Sequence, residues 1–397
     1  MGAPDYATAL DGLSNASPVA FESLLRKAAE PLGASEVAAY LADVQHVVLQ
    51  PILLSPDLAD PILAEEAVST SMAGRAFLSG QPVIADRGTE KRVWVPLVER
   101  GERTGVVALT LPSVDEGTLA DCVRLGLFAG LMVRGFTPVT DLFALRRRRR
   151  PMTLAAGMQW DLLPPLTVRS SKASGCGRLE PAYEIAGDAF DYALNDRYLD
   201  AAIFDGMGHG VRSTLLTTLA MGAYRHERRR GDGPAVVSVA IDNVLAEHYE
   251  GDAFVTAVVV RLDLDSGVME WINAGHPPPL LMRNRKVVRH LDGAKSLPLG
   301  LGGNRSDVAS QALEPGDSVL FYTDGITEGR SADGSDFGVE RLVDLWEREA
   351  ASGQLPEEIL RRLTRAAIAF GAGKLRDDAT LLHLAWHPQD DPAWSPH

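Results

Sequence analysis

The sequence predicts two domains of different architecture: an N-terminal α/β unit, then an α+β unit of two packed antiparallel β-sheets flanked by helices. Three observations carry this. The chain has 397 residues, enough for two separate cores. Across residues 1–135, helical and strand patterns alternate around one clear hairpin, 91–98 with 104–111. Across residues 169–388, short alternating strands are joined by tight turns such as 264–267, with four longer helical segments between them.

In the first domain, Phe21, Leu24, Leu25 and Ala28 share one face of a helix expected over 18–32. Strand-like runs at 37–41 and 47–53 follow, then a short helix over 72–78 that ends at Gly80. Extended chain at 81–85 leads into the hairpin, and a helix over 119–133 closes the unit. Residues 136–168 read as a helical linker, with a helix over 140–159 that carries Arg146 to Arg150 and is interrupted or kinked at Pro151. In the second domain, strands are expected at 182–185, 198–204, 254–264, 268–273, 280–282, 287–291, 318–322 and 379–386. Helices are expected over 211–228, 234–247, 339–350 and 356–370, and residues 389–397 read as a disordered tail.

Bulk properties exclude several classes. A net charge of −14 argues against a nucleic-acid binder, so the five-arginine run reads first as a solvated helix face. The two cysteines, Cys122 and Cys176, are too far apart in sequence for ligand-like spacing, which disfavours a disulfide framework or a structural zinc. The opening MGAPDYATAL lacks a basic region followed by an apolar run, and the longest apolar stretch, 125–133, is too short to span a bilayer. A cytoplasmic protein without membrane contact is expected.

Four short acidic motifs carry the chemistry: AGDAFD (186–191), DGMGHG (205–210), TDG (323–325) and RDDAT (376–380). Each is read as lying at a strand end, where glycines let the backbone turn sharply. Carboxylates gathered from such ends need a counter-charge, and oxygen-only ligands favour Mg²⁺ or Mn²⁺ over zinc. Two such ions sharing a site favour phosphoester chemistry. Taken singly, each motif reads as a turn or a helix cap. Four in this order do not.

These motifs, with NAGHPPPLL (273–281), LPLGL (297–301) and TDGITEG (323–329), resemble a SpoIIE-like protein phosphatase of the metal-dependent PPM type over residues 169–388. The resemblance implies the αββα sandwich of that family. It also implies that Asp188, Asp205, the carbonyl of Gly206, Asp324 and Asp377 hold two Mn²⁺ or Mg²⁺ ions, with Asp378 as the uncertain neighbour. Asp191 and Glu328 are assigned supporting roles, and His209 and His276 are read as shaping their loops rather than as general acids. Ala186 replaces the first glycine of the family's Gly-Gly-Asp motif, which removes no carboxylate. The implied reaction is hydrolysis of phosphoserine or phosphothreonine on a protein, with a phosphorylated STAS-domain anti-sigma-factor antagonist as the partner.

Residues 71–86 (SMAGRAFLSGQPVIAD) and 93–109 (VWVPLVERGERTGVVAL) resemble a GAF domain, which implies a sensor for an unidentified small-molecule or protein signal. QWDLLPP (159–165) resembles the segment that precedes such phosphatase domains, and leaves open a homodimer through the linker helix. Two rivals remain. A nucleotide cyclase, suggested by AGDAFD, would not need the three downstream motifs. A non-catalytic ligand-sensing and partner-docking module with a degenerate phosphatase fold would not need all four aspartates.

Overall fold

Phe21, Leu24, Leu25 and Ala28 are buried together on α1 (Phe21–Ala29), as their spacing requires, with short 3₁₀ turns extending the helix at both ends. The computed structural model describes residues 4, 6, 11, 16–52, 64–99, 101–181, 183–184, 187–302, 307–331, 333–373, 375 and 377–387. The expected tail, 389–397, lies outside them. The chain divides into two units, Met1–Pro151 and Met152–His397.

In the first unit, β1 (Glu36–Ala42), β2 (Val48–Pro51) and β3 (Glu66–Ala67) precede α2 (Met72–Ser79). Then come β4 (Val83–Arg87), β5 (Glu90–Glu99), β6 (Glu102–Leu111), α3 (Glu116–Phe136) and α4 (Leu142–Arg146). The strands form one sheet in the order β3-β2-β1-β6-β5-β4, and every described pairing is antiparallel. Alternation along β5 and β6 sends Val93, Val95, Leu97, Val107 and Leu109 to the face covered by α1 and α3. Tyr40, Val106 and Ala108 face the other way, toward α2. Ser71 caps α2 by accepting the Gly74 amide at 2.9 Å, and Gly80 ends it in the left-handed region at φ 69°.

The expected 140–159 helix is present as two pieces, α4 and α5 (Leu154–Leu162), separated by a non-helical stretch that contains Pro151. Thr153 caps α5 through the Ala156 amide at 3.2 Å.

The second unit starts with β7 (Thr167–Arg169), β8 (Ala173–Glu180), β9 (Asp188–Leu194) and β10 (Tyr198–Gly206). α6 (Val211–Arg230) and α7 (Pro234–Tyr249) follow, then β11 (Val255–Asp263), β12 (Val268–Ala274), β13 (Leu280–Arg283) and β14 (Lys286–His290). After β15 (Lys295–Ser296), β16 (Ala309–Ala312) and β17 (Ser318–Tyr322) come α8 (Asp324–Thr327), α9 (Val339–Ala351), α10 (Pro356–Phe370) and β18 (Ala379–Trp386). One sheet runs β15-β12-β11-β10-β9, with β16 also on β12. The other runs β14-β13-β17-β18-β8-β7. Pairing is antiparallel except between β12 and β15.

Phe190, Ala201, Ile203, Val258 and Val260 of the first sheet meet Leu281, Val319, Phe321, Leu382 and Leu384 of the second in a shared core. The outer face of the first sheet is covered by α6 and α7, that of the second by α9 and α10. This is the expected sandwich with helices on both outer faces. Two details differ. Tyr183 and Glu184, within the expected 182–185 strand, lie in a turn, while residues 182 and 185 fall outside the described set. The strands on either side, β8 and β9, were not anticipated. β8 reads ASGCGRLE and β9 places Asp188 and Asp191 inside the sheet, so neither shows an apolar alternation.

Among the described residues, no helix is long and apolar enough to cross a membrane.

His383 lies on the helix-facing side of β18, with its ring edge-on to buried Trp346 at a centroid distance of 6.0 Å. Its Nδ1 is buried without a protein partner, and burial, helped by His387 and Arg169, pushes the imidazole down to about 4. The unfolded chain therefore binds more protons than the folded one between about pH 6.5 and 4. Stability is fully present above that window and is lost as pH falls through it. Replacing His383 by Phe should flatten this acid-side loss by roughly 3 kcal/mol. Urea unfolding of both proteins at pH 7 and pH 4.5 checks this, and parallel pH dependences would refute it.

Candidate metal centre

The site grows from the register of one hairpin. β9 and β10 pair so that Asp188 lies directly opposite Asp205. Residues of like parity on these strands, Phe190 on β9 and Ile203 on β10, enter the core between the sheets, so both carboxylates belong to that inner side, at its open end. Asp188 stands at the opening end of β9, whereas Asp205 stands near the closing end of β10. Only the hairpin return brings it to Asp205.

The opposite sheet supplies the remainder. Val319 and Phe321 face the shared core, and two residues on, the Thr323 hydroxyl donates to Asp188 Oδ2 at 2.6 Å. The Thr323 hydroxyl oxygen itself accepts the Thr380 amide at 2.9 Å, and the Thr323 amide donates to the Thr380 carbonyl at 3.1 Å, locking β17 to β18 beneath the site. Thr323 immediately precedes α8, whose first residue is Asp324. Gly325 then passes so near β18 that a Cβ there would lie 1.8 Å from the Asp378 carbonyl oxygen. Asp324 is thereby held beside the Asp377–Asp378 pair.

The backbone of the two glycine-bearing motifs is pinned from α6. Ser213 donates to the Gly206 carbonyl at 2.7 Å and Thr217 to the Gly187 carbonyl at 2.5 Å. The Gly206 amide donates to the Gly187 carbonyl at 3.2 Å. A side chain at Gly206 would sit 2.4 Å from the Thr217 hydroxyl, so this close packing needs glycine. Asp191, on the helix-facing side of β9, accepts from Arg225 and Arg228 of α6, and Arg225 also donates to the Leu162 carbonyl at the end of α5.

Electrostatically the acidic side chains of the cluster raise one another. Burial first, then Asp205 and Asp378, holds the Asp188 carboxyl well above the usual range, against weaker help from Thr323 and Thr380. Asp205 is pushed up to about 7 by burial and then by Asp324, Asp377, Asp378 and Glu328. Asp324 is raised by burial, Glu328 and Asp377. No lysine or arginine is among these causes. An oxygen-rich, mutually repelling donor set of this kind fits hard divalent cations. Among the described residues, no three His, Cys, Asp or Glu side chains are gathered as a ready-made cage. The carboxylates are neighbours through charge rather than closed around one point.

The other residues singled out by sequence sort clearly. Asp377 is exposed and accepts the Asp378 amide at 2.9 Å, whereas Asp378 Oδ2 lies 3.5 Å from the Asp188 amide. Glu328 is exposed at the end of α8 and His209 is exposed in the DGMGHG loop. His276 is buried, with Nδ1 2.8 Å from the Thr256 hydroxyl, and burial pushes it down to about 3 against a smaller opposing influence of the Tyr322 backbone. A ring neutral at ordinary pH is not an imidazolium acid. Ala186 lies outside the described residues. The second-layer hydroxyls of Thr323 and Thr217 were not singled out from sequence. The alternation Val319, Phe321, Thr323 was the available signal for the first.

In this αββα sandwich, carboxylates from both sheets approach one another at one open end, a donor chemistry that suits hard divalent cations. Residues 195–387, a little under half of the chain, match the family described as stage II sporulation protein E (SpoIIE). Over 235 residues the chain is 25% identical to the phosphoserine phosphatase RsbU of Bacillus subtilis, covering 58% of this chain and 68% of that protein. It is 28% identical over 151 residues to the phosphoserine phosphatase RsbP of the same organism, covering 36% of this chain and 37% of RsbP. With protein IcfG of Synechocystis it shares 26% over 233 residues, 51% of this chain and 36% of that one. The chain thus spans little more than a third of the length of IcfG and of RsbP. A crystal structure of RsbU and RsbW domains from Mycobacterium tuberculosis superposes with a TM-score of 0.49 at 25% identity, over 54% of this chain and 62% of that one.

Proposed function

We propose that the second unit is a metal-dependent protein phosphatase acting on phosphoserine or phosphothreonine. One observation carries this: Asp188 and Asp205 from one sheet meet Asp324 and the Asp377–Asp378 pair from the other, with no protein cation among the causes that raise Asp188, Asp205 and Asp324. Asp188, Asp205, the Gly206 carbonyl, Asp324 and Asp377 would hold two Mn²⁺ or Mg²⁺ ions. Such ions supply Lewis acidity toward a phosphate ester and lower the pKa of water. The chain's own part is positional. Thr323 orients Asp188, Ser213 fixes the Gly206 carbonyl, and Gly325 lets α8 approach β18.

The relatives named phosphoserine phosphatases support the same chemistry. The substrate proposed is a phosphorylated STAS-domain anti-sigma-factor antagonist. The first unit is proposed as a GAF-like sensor for a small-molecule or protein signal, supported by its antiparallel sheet with helices on both faces and by the motifs at 71–86 and 93–109. Pairing of two chains through the linker helix belongs to the same reading.

Hydrolysis of p-nitrophenyl phosphate by the full chain should require Mn²⁺ or Mg²⁺ and stop with chelator. A chain that binds Mn²⁺ yet hydrolyses neither this ester nor a phosphoserine protein would favour the non-catalytic docking module instead.

A further inference from the structure

Beside the carboxylate cluster the surface is apolar where solubility alone would make it polar. Met207 is 39% exposed, Val211 40% and Leu215 48%, and they follow one another from the DGMGHG loop onto the outer side of α6. Val211 and Leu215 are one helical turn apart and so share a face. Leu297 and Leu301, 59% and 42% exposed, belong to the same rim. The connection is through the sheet: Gly206 pairs with Val255, and Val255 exchanges both backbone hydrogen bonds with Leu299 at 2.8 Å. Met207 donates its amide to the neighbouring Phe254 carbonyl at 3.1 Å. Single exposed apolar residues need no explanation, but five on two segments joined through β11 beside the proposed centre do.

Arg212 completes the rim. It is exposed in the first turn of α6 and, among the described residues, makes no hydrogen bond or ion pair. Its neighbour Ser213 donates to the Gly206 carbonyl, and adjacent Cα atoms are about 3.8 Å apart, so Arg212 is anchored at the mouth of the site. Farther along the same helix, Arg225 and Arg228 are instead held by Asp191. A guanidinium without a protein partner among the described residues, carried on the turn whose Ser213 holds the Gly206 carbonyl, matches a phosphate brought to that site.

We propose that this rim is the docking surface for the substrate's phosphoserine segment, with Arg212 on the phosphate and the five apolar side chains against apolar residues flanking the phosphoserine. The proposal rests on the phosphatase reading and names its substrate class. The exposed apolar side chains select apolar flanks, which bury surface against them, and the net charge of −14 with a carboxylate-lined site repels acidic flanks.

The test uses the full chain with Mn²⁺ and two synthetic phosphoserine peptides, one with Leu and Val on both sides of the phosphoserine and one with Glu at those positions. Wild type should show kcat/KM at least about tenfold higher for the apolar peptide. Leu215→Ser together with Leu301→Ser should remove that preference through KM, a loss of about tenfold matching a modest interface contact. Arg212→Gln should raise KM for both peptides and leave their ratio intact. Retained Mn²⁺ affinity shows that the variants are folded. Equal kcat/KM for the two peptides in wild type, or a preference untouched by the double variant, overturns the proposal. If p-nitrophenyl phosphate is not hydrolysed at all by wild type, it is the phosphatase reading that fails.

Discussion

Replacing Asp205 by Asn should lower phosphatase kcat by about 10²–10³ while making the chelated protein harder to unfold. Asn keeps the shape of the side chain and its place opposite Asp188 in the hairpin register, so the fold has no steric reason to change. What changes is charge. Asp205 stands at the middle of the cluster, with its carboxyl pushed up to about 7 by burial and by four acidic neighbours. In the presence of chelator, removing that charge relieves repulsion on Asp188 and Asp324, a gain of order 1 kcal/mol once solvent screening of this partly exposed group is allowed for. With Mn²⁺ present, the same change should remove a proposed oxygen ligand, so that the cation stabilises the variant less than wild type. Unfolding midpoints with and without Mn²⁺, alongside turnover of a phosphoserine peptide, separate the two effects. Wild-type turnover, or a lower midpoint in chelator, would remove Asp205 from the proposed centre.

That opposed pair of effects explains which parts of the site could be read in the sequence. The aspartates stood out because they sit at the margins of apolar runs, Asp188, Asp205 and Asp324 beside a glycine and Asp377 and Asp378 just before β18. The helices α6, α7, α9 and α10 and the strands β10, β11, β17 and β18 were legible for the same reason, since burial imposes a period on the chain. β9 was not. Its two aspartates serve opposite faces, Asp188 the site and Asp191 the arginines of α6, so polar groups occupy positions where a strand would ordinarily show apolar ones. β8 was hidden by glycines, one of which, Gly177, is kept small by the Phe190 ring: an added Cβ would lie 2.2 Å from it. The supporting hydroxyls were hidden by separation. Thr323 meets Asp188 across 135 residues, a contact only the packing of two sheets creates. Arg212 was passed over because an exposed arginine in a helix is ordinary until its neighbours are known.

Gly325→Ala should be as damaging as loss of a ligand, although it removes no functional group. The added methyl would lie 1.8 Å from the Asp378 carbonyl oxygen and 2.7 Å from its carbon, both backbone atoms that no rotamer change can move aside. α8 must then retreat from β18. Such overpacking costs roughly 3 kcal/mol, and the retreat carries Asp324 away from Asp377. Mn²⁺ affinity should fall by about 10–100-fold, the size seen when groups that position ligands are lost. Gly222 is the matched control. It lies within α6 with nothing inside 4 Å of an added Cβ, so Gly222→Ala should stabilise by about 0.5–1 kcal/mol through backbone entropy alone. Chemical denaturation with chelator and Mn²⁺ titration of both variants make the comparison. If Gly325→Ala matches wild type in both, the approach of α8 to β18 does not set the position of Asp324, and the two sheets must be brought to the metals by some other contact.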